Sequence, residues 1–130
     1  MDENKNVLKT KSFAFALKIV QLYKSLSIDK KEFVMSKQLL RSGTSVGAMI
    51  REAQNAESKA DFIHKLAISQ KECDESLYWL ELLFASAYLS KEEFGSIAGD
   101  ASEILRIIRS SILTTKNNLK KGSGSNIHHS

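Results

Sequence analysis

The chain has 130 residues and 14.5 kDa, the size of one domain, since single cores organise about 100–150 residues. Hydrophobic residues make up 42% and charged residues 26%, which excludes wholesale disorder, and the lack of proline speaks against a turn-rich β-sandwich or barrel. The net charge of +4 is segregated: residues 1–65 carry 12 basic and 7 acidic side chains, residues 66–100 carry 2 and 7, and residues 101–130 carry 5 and 1. Such a distribution gives polarised faces and suits an anionic partner.

A single cysteine, Cys73, excludes an intramolecular disulfide and any multi-cysteine zinc site. No stretch approaches about 18 consecutive apolar residues, and the acidic, polar start Met-Asp-Glu-Asn-Lys-Asn lacks the apolar core of a secretory signal. The expectation is a cytoplasmic protein that spans no membrane.

The first helical pattern covers about residues 11–28. Phe13, Leu17 and Val20 fall on one stripe, while Phe15, Ile19, Leu22 and Leu26 form a second, about 160° away. A helix that covers only its own core needs an apolar arc of about 100° or somewhat more. Either a long neighbour buries this helix on each side, or its second stripe meets another subunit; the expectation taken is that Phe15, Ile19, Leu22 and Leu26 lie at a subunit interface. Ser36 offers an N-cap for a helix over about residues 37–57, in which Leu39, Gly43, Val46, Ile50 and Ala53 mark a seam of small residues that permits close approach. Gly43 and Gly47 cost about 1 kcal/mol each inside a helix, which close packing explains.

Ser58-Lys59-Ala60-Asp61 has the form of a capping box and opens a helix over about residues 59–89. Phe62, Leu66, Ser69, Cys73, Leu77, Leu80 and Phe84 form its core arc, and Ile68, Trp79 and Leu82 lie opposite as candidate interface residues. Ser90-Lys91-Glu92-Glu93 is a second capping box, starting a helix over about residues 91–119. Phe94, Ile97, Ala101, Ile104, Leu105, Ile108, Ile112, Thr115 and Leu119 hold one face of it. The fold expected is all-α, an antiparallel up-down-up-down four-helix bundle forming one domain over residues 1–119, with a disordered tail at 120–130.

No glycine-rich phosphate loop, nucleophile elbow or metalloprotease motif is present, and no Glu-x-x-His pair exists to build a di-iron bundle. His64 faces away from the core on the helical wheel, Cys73 sits at the centre of the core arc, and His128 and His129 lie on a tail without a preorganised site. No enzyme, cofactor or metal is expected. The second helix carries the one suggestive constellation. Lys37, Arg41 and Arg51 project opposite its apolar seam, forming a basic strip about 21 Å long at 1.5 Å per residue. Lys59 and Lys65 follow on the third helix, and Arg106 and Arg109 form a second patch on the last. Acidic side chains from the −5 segment pointing the same way would cancel the attraction.

The stretch from Gln38 to Ala53, with Arg41-Ser42-Gly43-Thr44-Ser45-Val46 at its centre, and the following Ser58-Lys59-Ala60-Asp61-Phe62 closely resemble the 23S rRNA intervening-sequence proteins, a family of four-helix bundles. The resemblance continues through Leu66 to Glu75 and Leu80 to Leu83 and covers about residues 10–117. The sequence departs from it at Met49, where the family commonly has asparagine, and at Ala53-Gln54, where many members have Glu-Gly. The resemblance implies a bacterial homopentamer arranged as a barrel around a channel. A related member is the accessory protein of diversity-generating retroelements, which binds nucleic acid and partners a reverse transcriptase. The functional expectation is a non-catalytic oligomer that binds RNA or DNA through its basic surface without strong sequence specificity. The alternative is a scaffold that docks a nucleic-acid enzyme.

Overall fold

A computed structural model describes the backbone of residues 3–129 and the side chains of residues 5–122. The described residues form four helices and no strand: α1 (Glu3–Lys24), which runs into a π-helical turn (Ser25–Asp29), α2 (Met35–Gln54), α3 (Lys59–Ala85) and α4 (Lys91–His129). Helix α1 packs on α2 and α4, and α3 packs on the same two. This ring of neighbours is compatible with an up-down antiparallel bundle.

The two stripes of α1 are assigned the other way round from the sequence expectation. Phe15 is 1% exposed, and Ile19, Leu22 and Leu26 are likewise buried within the single chain. These four are core residues, whereas Phe13 (53% exposed) and Leu17 (49%) face outward. The physical reason lies upstream. Helix α1 begins at Glu3, so Leu8, Ser12, Phe15, Ile19, Leu22 and Leu26 form one continuous buried row at spacings of four and three. Gly43 of α2 fixes the orientation, because a Cβ there would lie 2.8 Å from Ile19 Cγ1. The α1–α2 approach thus demands glycine at this position.

Helix α2 is capped from outside its first turn. The buried Glu32 carboxylate accepts the N–H groups of Val34, Met35 and Ser36 at 3.1, 3.0 and 2.7 Å. Ser36, expected as the N-cap, lies inside the helix and donates its hydroxyl to the Glu32 carbonyl at 2.7 Å. Burial by itself raises the Glu32 pKa, but the backbone donors of Ser36, Met35 and Val34 outweigh it and hold the group below its ordinary 4.5. A carboxylate with a lowered folded pKa stabilises fully above its unfolded value, and that contribution disappears as pH falls through the folded value. Glu32→Ala is therefore expected to cost about 1–2 kcal/mol at neutral pH. The variant should also lose stability less steeply than wild type below pH 4.5, as read by urea unfolding on either side of that pH.

Ser90 and Glu93 form a full capping box, bonding reciprocally at 3.1 and 2.9 Å. Ser58 caps α3 one way: its Oγ accepts the Asp61 N–H at 3.0 Å, and the Asp61 carboxylate accepts the Glu57 N–H at 3.3 Å instead. Helix α3 ends four residues before the expected boundary, in a Schellman motif closed by Tyr88 N–H on the Leu83 carbonyl at 2.8 Å. Ala87 occupies the left-handed position there, with φ 69°. Glycine takes that conformation without the Cβ penalty, so Ala87→Gly is expected to raise stability by about 0.5–1 kcal/mol in the same urea assay. Helix α4 runs from Lys91 to His129, past the boundary expected at residue 119. The side chains of His128 and His129 lie outside the described residues.

The buried row of α3 is Leu66, Ser69, Cys73, Ser76, Leu80 and Leu83, a small rotation from the expected arc that leaves Phe84 39% exposed, stacked on Phe94. Serines bind α2 to α3: Ser69 donates to the Val46 carbonyl at 2.8 Å and Ser76 to Ser42 Oγ at 3.0 Å. Of the residues expected opposite the core, Leu82 is exposed, but Ile68 and Trp79 are half-buried, and Trp79 donates its indole N–H to Glu75 at 3.0 Å. Trp79 is therefore already committed within its own chain.

Candidate nucleic-acid interface

Lys37, Arg41 and Arg51 lie exposed on the outer face of α2, as their spacing requires. Helix α3 packs along α2 and brings carboxylates to the middle of this strip. Arg41 donates to Glu72 at 3.2 Å and to Glu75. The bond to Glu75 raises the Arg41 pKa, and the same bond, followed by that from Trp79, lowers the Glu75 pKa. Arg41 therefore brings little net positive field to the surface.

Three of the other six expected contacts are compensated in the same way. Lys65 pairs with Glu52 at 3.0 Å, Arg109 lies 4.0 Å from Asp74, and Arg106 lies 4.0 Å from Glu103. Exposed pairs of this kind contribute only about 0–1 kcal/mol to stability, but they neutralise the local potential. Among the described residues, Lys37, Arg51 and Lys59 make no ion pair. The seven residues thus do not make one continuous basic face.

Four cations without a carboxylate partner among the described residues lie together elsewhere. Lys5 and Lys59 line one cleft, between the start of α1 and the start of α3. Lys9 and Arg51 line the adjacent groove between α1 and α2, where the Arg51 guanidinium sits 5.6 Å from the Phe13 ring centre. A carboxylate-bearing groove formed by Glu52, Glu57 and Asp61 also touches Arg51 from the other side. Lys5 and Lys9 were absent from the sequence expectation because the helix was expected to begin only at about residue 11. Leu8, one turn before Ser12 on the row that leads to Phe15, was the signal for the earlier start.

His64 is exposed, and among the described residues no three His, Cys, Asp or Glu side chains cluster to hold a metal ion. Cys73 is buried, with its thiol 3.4 Å from the Ala101 carbonyl, and burial pushes its pKa up to about 12. A protonated, enclosed thiol is a poor nucleophile. At the positions that depart from the family pattern, Ala53 is fully buried and Gln54 donates to the Lys5 carbonyl at 2.8 Å, tying the end of α2 to the start of α1. No described helix is long and apolar enough to cross a membrane.

These features define an all-α, four-helix protein with a serine-laced core and a charge-patterned surface. The chain belongs to the 23S rRNA-intervening sequence protein family, whose sequence profile matches residues 4–110. It is similar to a crystal structure of a protein of unknown function from the S23 ribosomal protein family of Bacteroides thetaiotaomicron, with 55% identity and a TM-score of 0.83. The similarity covers 84% of this chain and 97% of that one. No curated protein matches the chain.

Proposed function

We propose that this protein is a non-catalytic, cytoplasmic, up-down helical bundle that binds RNA or DNA through phosphate contacts at one end of the bundle. The observation that supports this reading is the convergence of Lys5, Lys9, Arg51 and Lys59, none of them paired with a carboxylate among the described residues, on neighbouring concave surfaces. Phosphate contacts position a nucleic acid without reading its bases, so binding is tolerant of sequence. Each phosphate neutralised on a duplex contributes about −0.9 to the slope of log affinity against log salt. Four contacts therefore predict a loss of about 10²-fold in affinity for a fourfold rise in salt, measured by filter binding. An affinity that does not change with salt contradicts the reading.

Self-assembly is the second element, and the exposed apolar pair Phe13 and Leu17 on α1 favours it. Apolar patches left on a single chain mark interaction surfaces, and a cyclic homo-oligomer, a pentamer by family resemblance, would repeat the basic end and raise avidity. Light scattering is expected to give a mass several times that of one chain. A single-chain mass transfers Phe13 and Leu17 to a different protein partner, the scaffold reading.

A further inference from the structure

The cleft that Lys5 and Lys59 share has a volume of about 440 Å³, within the range of small-molecule sites. Three independent features of it point to a ligand. First, Ser111 of α4 lines it, is only 7% exposed, and has a hydroxyl with no hydrogen-bond partner. The other described buried serines, Ser12, Ser36, Ser42, Ser69 and Ser76, all bond. Second, among the described residues the lining carries two ammonium groups and no carboxylate. Third, the first turn of α3 opens onto it. Ser58 takes the N–H groups of Asp61 and Phe62, which leaves those of Lys59 and Ala60 for an acceptor from outside, at the positive end of a helix of 27 residues. Phe62, Ala53 and Ala56 supply apolar surface, and Gln54 and Asn118 add amide groups beside it.

We propose that this cleft binds a small phosphate ester bearing a flat ring, of the size and polarity of a nucleoside 5′-monophosphate. The phosphate lies between the Lys5 and Lys59 ammonium groups at the N-terminus of α3. The nucleoside covers the two alanines and the part of the Phe62 ring that the Lys5 ammonium, 5.0 Å from the ring centre, leaves open, and gives Ser111 Oγ its missing partner. This assignment shares Lys5 and Lys59 with the nucleic-acid reading but needs no strand, and that reading is tested separately at Lys9 and Arg51.

Isothermal titration of the full chain with adenosine 5′-monophosphate tests it, with adenosine and inorganic phosphate as separate arms. The monophosphate is expected to bind saturably, and each separate arm at least about tenfold more weakly, because each supplies only half of the contacts. Lys59→Ala is expected to weaken binding about tenfold. Ser111→Ala is expected to weaken it severalfold without lowering the melting temperature of the free protein, since the hydroxyl it removes has no partner there. Lys91→Ala, at the start of α4, is expected to leave binding unchanged. Absence of saturable binding at millimolar monophosphate overturns the proposal. So does equal binding of adenosine or of phosphate alone, or binding indifferent to both Lys59→Ala and Ser111→Ala.

Discussion

Phe15→Ala is expected to destabilise the folded chain by about 3–5 kcal/mol, the range for deleting a fully buried phenyl ring. Phe15 lies on the row of α1 that also buries Leu8, Ile19, Leu22 and Leu26, so the lost contacts and the cavity both fall inside one chain. Chemical unfolding at two protein concentrations reads this directly. A core residue gives the same loss at both, whereas a residue at a subunit interface gives a loss that depends on concentration. The account predicts no dependence of the loss on concentration.

What was legible in the sequence depended on how local the determining chemistry was. The Ser58 and Ser90 caps act within three residues, and both helix starts stand where the pattern places them. Cys73 and His64 lie on the sides of α3 that a helical wheel assigns. The ends were harder. The α1 turn and α3 both close through a non-glycine residue in the left-handed region, Lys31 at φ 58° and Ala87 at φ 69°, so the usual glycine signal is missing. The cap of α2 was misplaced because Glu32 reaches forward across a turn to three N–H groups, a role for which Ser36 is the commoner residue type.

The inward face of α1 required tertiary information. Two apolar stripes look alike on a wheel, and only the extension back to Leu8 and the glycine opposite Ile19 distinguish them. The candidate site divides in the same way. Exposure of Lys37, Arg41 and Arg51 follows from the period of α2 alone, but the carboxylates that meet Arg41 come from α3, 31 and 34 residues later. The segregation of acidic residues into residues 66–100 warned of this neutralisation without saying which cation it would reach. Lys5 and Lys9 gained their place only when α1 proved to begin at Glu3.

The largest functional effect is expected from reversing the two cations of the α1–α2 groove. Lys9 and Arg51 are exposed and pack into no core, so Lys9→Glu with Arg51→Glu should leave the fold within about 1 kcal/mol of wild type. Two phosphate contacts are lost and two repulsions are added, so affinity for RNA and DNA should fall by more than about tenfold at low salt. The salt slope should flatten by about two. Arg41→Gln serves as the comparison, because that guanidinium is already taken by Glu72 and Glu75. The most direct measurement is filter binding of one RNA and one DNA at low salt by wild type, the double variant and Arg41→Gln. The account predicts that the double variant alone loses binding, equally for both nucleic acids; wild-type affinity in the double variant, or a greater loss in Arg41→Gln, would contradict it.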